Sequence, residues 1–273
     1  CRVVVAHKGQ VMHDGVYGTT DGHVKVEEAT IYDLASITKV VATTLCLMSD
    51  EETGRIQIDE PLLQKLTELD TAEIGSRTYR EILSHQAGLY PWIPFYLETL
   101  SDSLDLLSNK PLCEENISVN PEMYICKDFT DTIYKRIITS ELRPPGEYRY
   151  SDLGYYLIHT MLNSTYETEN AIDSLSKSRF YNPMGLFSMG FHPLDLPDIH
   201  QRDIAPTEED SIFRMCTVQG NVHDPGAALL GGVCCHAGVF SDAHDLTRMG
   251  QMLLNGGSLL GANFFSLQEQ TID

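Results

Sequence analysis

The chain has 273 residues, with 19 Lys and Arg against 39 Asp and Glu, for a formal net charge of -20. Its composition, 42% hydrophobic and 21% charged, is that of a globular protein and excludes collagen, coiled coil and wholesale disorder. The acidic surplus repels phosphate backbones and anionic headgroups, so neither nucleic acid nor a membrane surface is an expected partner, and no run of about 18 apolar residues predicts a transmembrane span.

In chain order, Cys1–Ala6 reads as a strand, and Lys8-Gly9 turns it into a hairpin with Gln10–Tyr17. Asp21-Gly22 marks a second turn. From Ser36 the apolar positions Ile37, Val40, Val41, Thr44, Leu45 and Met48 recur at helical spacing until Gly54. A short helical stretch is expected from Asp59-Glu60-Pro61, and a helix over Arg77–His85 stopped by Gly88. Residues 89–145 carry six prolines and predict loops between short helices. Helices follow over Leu153–Leu162 and Ser174–Tyr181, the latter stopped by Pro183-Met184-Gly185. A long loop covers His192–Asp210, and an amphipathic helix runs over Asp245–Leu254 to Asn255-Gly256-Gly257. A β beginning followed by a long helical middle predicts an α+β fold in two lobes. The opening inside a strand, and Ser266–Asp273 with no evident closing element, suggest a piece of something longer.

The seven cysteines (Cys1, Cys46, Cys113, Cys126, Cys216, Cys234 and Cys235) form no C-x-x-C pair, so neither a zinc nor a dithiol redox site is expected. Most are expected as buried free thiols. Cys113 and Cys126 can pair around a loop, and the sequence does not decide whether they do.

Ser36-Ile37-Thr38-Lys39 opens the first helical run, where three residues' spacing puts hydroxyl and amine on one face. A serine hydroxyl becomes a nucleophile when a base takes its proton, and a buried lysine is such a base. A second copy, Ser174-Leu175-Ser176-Lys177, lies among polar residues and is not expected to be catalytic. Tyr150-Ser151-Asp152 precedes a helix, so Tyr150 has either a proton-relay role or a structural one, with Asp152 as helix N-cap. No G-x-S-x-G, H-E-x-x-H or Walker A motif occurs, and no metal ligand set is expected. His236, in Gly231–Gly238, reads as a structural histidine of a tight turn or as a residue lining a site.

Five segments in order resemble the serine β-lactamase and penicillin-binding protein superfamily on its class C and esterase-like side: Asp33–Lys39, Ile82–Leu89, Pro145-Gly146 with Tyr150–Tyr155, Val222-His223-Asp224, and His236–Ser241. Pro91–Tyr96 adds a likeness to serine hydrolase domains of Bacteroidetes-type bacteria, some fused behind a glycoside hydrolase family 3 domain. The resemblance implies a helical lobe inserted in an α/β sandwich with the site in the cleft between them. Ser36 is then the acyl-enzyme nucleophile, Lys39 its base partner, Tyr150 the catalytic tyrosine and the Ser36 N–H an oxyanion donor. Asp152 and His236 are expected to support the site or bind substrate, with no cofactor and no metal. One domain over 1–273 is expected: N-terminal strands in 1–33, a mainly helical lobe in 34–232, and a return toward the α/β lobe in 233–273.

The implied activity is a penicillin-binding-like peptidase or esterase acting on cell-wall-type substrates, with a β-lactamase or a non-catalytic binding domain as alternatives. The implied location is the cell envelope or periplasm, and fusion to a glycoside hydrolase domain is one arrangement of the full-length protein. Two departures stand out. Asp152 replaces the superfamily's Asn, and a carboxylate near Lys39 favours the ammonium, moving proton transfer toward Tyr150. The third motif, K-T-G or H-x-G on a strand, has no convincing match and is expected beyond Asp273, so the fragment alone is expected to be short of activity.

Overall fold

A computed structural model of the protein describes residues 1–100 and 106–264; the C-terminal stretch Ser266–Asp273 lies outside the described residues. β1 (Arg2–His7) and β2 (Gln10–Val16) form the expected antiparallel hairpin, in register from Arg2↔Val16 to His7↔Gln10 with one irregularity after Val5. Its run of β-branched valines suits an extended pleat. β3 (Tyr32–Asp33) then leads into the Ser36 segment.

That segment is not the single helix its periodicity predicts. It is a 3₁₀ turn over Ala35–Ile37, a π-helical stretch over Lys39–Thr44 and only then α1 (Leu45–Glu52). Side-chain hydroxyls compete with the helical ladder there. Thr43 Oγ1 donates to the Cys235 carbonyl at 2.7 Å, Thr38 Oγ1 accepts from Val239 N at 3.1 Å, and Thr44 Oγ1 donates back to the Lys39 carbonyl at 2.7 Å.

The stretch opened by Asp59-Glu60-Pro61 is a single 3₁₀ turn over Leu62–Gln64. α2 (Tyr79–Leu83) is shorter than expected because Thr78 and Glu81 close a reciprocal capping box before it and His85, at φ +58, turns the chain after it. α3 (Phe95–Thr99) follows. Where only loops and short helices were expected, β4 (Leu107–Ser108), β5 (Asn116–Asn120) and β6 (Met123–Cys126) form a sheet in the order β4-β6-β5. The Asn120 side chain, accepting from Glu122 N at 2.8 Å, makes the β5–β6 turn, and a Cys113–Cys126 disulfide ties β6 back to the segment before β5. Of the other cysteines, Cys46, Cys234 and Cys235 are buried free thiols while Cys1 and Cys216 are exposed, so buried free thiols are fewer than expected.

α4 (Phe129–Ile138), α5 (Leu153–Tyr166), α6 (Ala171–Ser176), a π-helical stretch over Lys177–Tyr181 and α7 (Asn182–Met184) complete the helical part. α5 is apolar on nearly every side, and Leu157, Ile158, Met161 and Leu162 are wholly buried at the centre of the core. Each Leu or Ile hidden in this way contributes roughly 1.5–3 kcal/mol. The His192–Asp210 loop ends in β7 (Glu208–Asp210), paired with β8 (Cys216–Val218). α8 (Pro225–Leu229), β9 (Phe240–Ser241), α9 (Ala243–Leu254), β10 (Ser258–Leu259) and β11 (Ala262–Asn263) follow. α9, capped by Asp242, packs on β1. The result is an α+β fold. Pairing of β3 with β9, Asp33↔Phe240 and Tyr32↔Ser241, lays the Ser36 segment against the 234–241 segment.

Candidate active site

Ser36 sits at a tight turn. Ala35 before it lies at φ +45, a left-handed conformation that costs an L-residue about 1 kcal/mol or more. Asp33 holds that turn: its Oδ1 accepts from Ala35 N at 2.7 Å and its Oδ2 from His223 N at 2.7 Å. Burial raises the Asp33 carboxyl above its ordinary range while these N–H donors pull it down.

The turn presents Ser36 Oγ between two partners. Lys39 Nζ donates to it at 2.9 Å and the Tyr150 hydroxyl donates to it at 2.6 Å. Ser36 and Tyr150 face solvent, whereas Lys39 is 4% exposed. Beneath them Nζ donates to the His236 carbonyl at 3.1 Å and lies 2.7 Å from Asp152 Oδ1. It also lies 5.0 Å from the ring centre of Tyr150 and 5.3 Å from that of Tyr155, whose hydroxyl burial pushes upward. The nitrogen thus donates to a hydroxyl and a carbonyl and is ion-paired with a carboxylate.

Tyr150 is carried on an irregular loop pinned to the 85–91 segment: Gly146 N donates to Gln86 O, Arg149 N to His85 O at 2.8 Å, and Asp152 N to Pro91 O at 2.9 Å. Gly88 makes this fit possible, because at φ +82 its added Cβ would sit 2.1 Å from Arg143 O. The Ser151 hydroxyl, buried, donates to Tyr90 O at 2.6 Å rather than reaching Ser36. Asp152 occupies the N-cap position of α5 but makes no capping bond; its carboxylate goes to Lys39 instead. His85 packs against Tyr150 with ring centres 4.4 Å apart, and both burial and the nearby Lys39 charge lower its proton affinity.

His236 is buried, with Nε2 2.8 Å from Asp224 Oδ1, Nδ1 3.1 Å from Cys234 Sγ, and its ring stacked on Tyr156 at 4.5 Å. Burial opposes its charge, but Cys234 and Asp224 outweigh that and raise its proton affinity. Asp224 is held well below the usual carboxylate range, since His236 and the Ala227 N–H outweigh the cost of burial. The side chain of His236 therefore supports the loop, and its carbonyl faces the site. Trp92, Asp152, Tyr156, Asp224 and His236 line a crevice of about 40 Å³ beside Lys39.

All five residues singled out in the sequence converge here. The second serine–lysine copy does not: Lys177 pairs with Asp173 at 2.9 Å, away from this cluster. Two contributors were missed, Asp33 and His85, although both lie inside matched segments. No group of three or more metal-type ligands is present among the described residues. His236-Ala237-Gly238 runs in the loop beneath Lys39, not on a strand beside Ser36.

A family model described as Beta-lactamase matches residues 2–268. An Escherichia coli (strain K12) protein named "Putative D-alanyl-D-alanine carboxypeptidase" is 28% identical over 292 residues, which cover 97% of this chain and 62% of that protein. A penicillin-binding protein homologue of Pyrococcus abyssi superposes with a TM-score of 0.67 at 18% identity, over 99% of this chain and 54% of its own. A class C beta lactamase of Rhodobacter sphaeroides does so with a TM-score of 0.64 at 18% identity, over 98% of this chain and 63% of its own. At that identity the two structures establish the fold. The chain spans less than two thirds of the length of these relatives.

Proposed function

We propose that this chain, which belongs to the beta-lactamase family, is the serine-bearing part of a hydrolase that forms an acyl-enzyme on an amide or ester. The observation that carries the reading is Ser36 Oγ held at 2.6 Å from the Tyr150 hydroxyl and 2.9 Å from Lys39 Nζ. Ser36 attacks the carbonyl, the leaving amine or alkoxide departs with a proton, and water then releases the acyl group.

Lys39 Nζ donates to Ser36 Oγ at 2.9 Å and lies 2.7 Å from Asp152 Oδ1, so in this arrangement it faces the serine as a donor. We assign Tyr150, whose hydroxyl is 2.6 Å from Ser36 Oγ with Lys39 Nζ 5.0 Å from its ring centre, as the relay for the Ser36 proton. The same phenol then returns the proton to the leaving group. The Ser36 N–H supplies one oxyanion donor.

The substrate class we favour is a peptide of cell-wall type or a small ester. The curated relative's carboxypeptidase name supports the peptide, and an envelope or periplasmic location goes with it. No helix among the described residues is long and apolar enough to cross a membrane. The full-length protein, tested on a D-alanyl-D-alanine-terminated peptide, a p-nitrophenyl ester and a chromogenic cephalosporin, should release D-alanine or p-nitrophenol faster than it opens the lactam. Preferential lactam opening would make it a β-lactamase, and no turnover of any of the three, with no label on Ser36, would make it a binding domain.

A further inference from the structure

Tyr150 lies on neither helix nor strand, yet its hydroxyl meets Ser36 Oγ at 2.6 Å. A side chain on irregular backbone keeps such a position only where its surroundings are tied down. Both backbone neighbours of Tyr150 are tied to one residue. Arg149 N donates to the His85 carbonyl at 2.8 Å, and Ser151 N donates to His85 Nδ1 at 3.2 Å. The His85 ring also lies against the Tyr150 ring, with centres 4.4 Å apart and planes inclined at 38°. Tyr155 and Tyr148 flank the same imidazole, with ring centres at 5.7 Å and 6.0 Å.

The role of Nδ1 follows from its partners. The Ser151 carbonyl stands 3.1 Å from the same nitrogen, and a proton on Nδ1 would go there. That tautomer strands the Ser151 N–H, in a residue only 5% exposed, whereas a proton on Nε2 leaves Nδ1 to accept from it. Burial and the Lys39 charge lower the proton affinity of the ring, which preserves this lone pair at neutral pH. The backbone of His85 is shaped for the task as well. It stands at φ +58 just after α2, with its N donating to the Ile82 carbonyl at 3.0 Å. Among residues other than glycine, His, Asn and Asp accept this left-handed conformation most readily. The turn brings carbonyl and ring together onto the Tyr150 loop.

We propose, on the acyl-enzyme reading of Ser36 and Tyr150, that His85 is the positioning residue for Tyr150: its carbonyl, its Nδ1 and its ring face together hold the phenol on Ser36. His85 then matters to the rate only while a phenol is there to be positioned.

The rate at which a fluorophosphonate labels Ser36, followed by mass spectrometry of the full-length protein, tests this in a double-mutant cycle. His85→Phe keeps a ring against Tyr150 and removes the acceptor for Ser151 N. It should slow labelling about tenfold in the parent and less than about twofold in Tyr150→Phe, where no phenol is left to position. Should His85→Phe fail to fold, His85→Ala takes its place in the cycle. His85→Asn suits the left-handed turn and offers an amide oxygen in place of Nδ1, so it should label within about threefold of the parent. Equal slowing in the two backgrounds, a His85→Asn rate as low as that of His85→Phe, or parent-like labelling of His85→Phe would each overturn the proposal while leaving the acyl-enzyme reading in place. A parent that takes no label on Ser36 overturns that reading, and the role of His85 with it.

Discussion

Asp152 Oδ1 lies 2.7 Å from Lys39 Nζ, so a carboxylate stands against the one buried ammonium of the site. It favours the charged form of the amine. Asp152→Asn keeps the shape and removes that charge. Tyr150→Phe, which costs the parent about 10²-fold or more in kcat/KM, should cost the Asn variant less. An equal cost of Tyr150→Phe in the two backgrounds would show that the carboxylate has no part in proton transfer.

His236 offers Lys39 its carbonyl while Asp224 holds its ring. Asp224→Asn keeps an acceptor for the buried ring but removes the charge that holds it, for a loss of about 1–3 kcal/mol seen as a lower urea midpoint. Because the carbonyl only positions Lys39, kcat should fall roughly tenfold with KM little changed. A fall confined to KM would place Asp224 in substrate binding instead.

Burial, with the charge of His236 adding to it, lowers the proton affinity of His159 from 6.5 to about 4. The unfolded chain binds this proton more tightly than the folded one, so the stability tied to the neutral ring is complete above pH 6.5 and is lost as pH falls toward 4, on the order of 3 kcal/mol at full span. His159→Gln, which cannot titrate, should flatten the drop in urea-unfolding free energy across that window. Parallel slopes for the two proteins would contradict the assignment.

Gly238 holds φ +120, and an added Cβ would meet Gly232 O at 2.3 Å. The glycine lets the loop that carries His236 close on itself. Gly238→Ala should lower stability by roughly 2–4 kcal/mol and reduce activity with it, measured by thermal unfolding and turnover on the same preparation. Gly146→Ala, also at positive φ but with open space around it, should cost only about 1 kcal/mol.

What the sequence disclosed depended on whether a side chain carried the signal. Ser36 and Lys39 at i, i+3 were readable because the spacing itself brings hydroxyl and amine together. The conditional argument about Asp152 turned on one residue type at one position. The Lys39 partner on the other side is a backbone carbonyl, which no residue letter encodes, so His236 was readable as a tight-turn or site-lining histidine but not as the source of that carbonyl. Asp33 was passed over because its work is on backbone N–H groups 2.7 Å away, one of them in a segment distant in sequence. The π-helical stretch after Ser36 escaped the periodicity because Thr38 and Thr43 bond to a loop some two hundred residues on, while Thr44 bonds back to the Lys39 carbonyl. The sheet of β4, β5 and β6 was hidden by short strands and by prolines that suggested only loops.

The most direct test of the account is mass spectrometry of the full-length protein after treatment with a fluorophosphonate or a fluorescent penicillin. The account predicts a single adduct on the peptide containing Ser36, lost in Ser36→Ala and much slower to form in Lys39→Met and Tyr150→Phe. An adduct on another serine, or none on Ser36 at any pH, would contradict it.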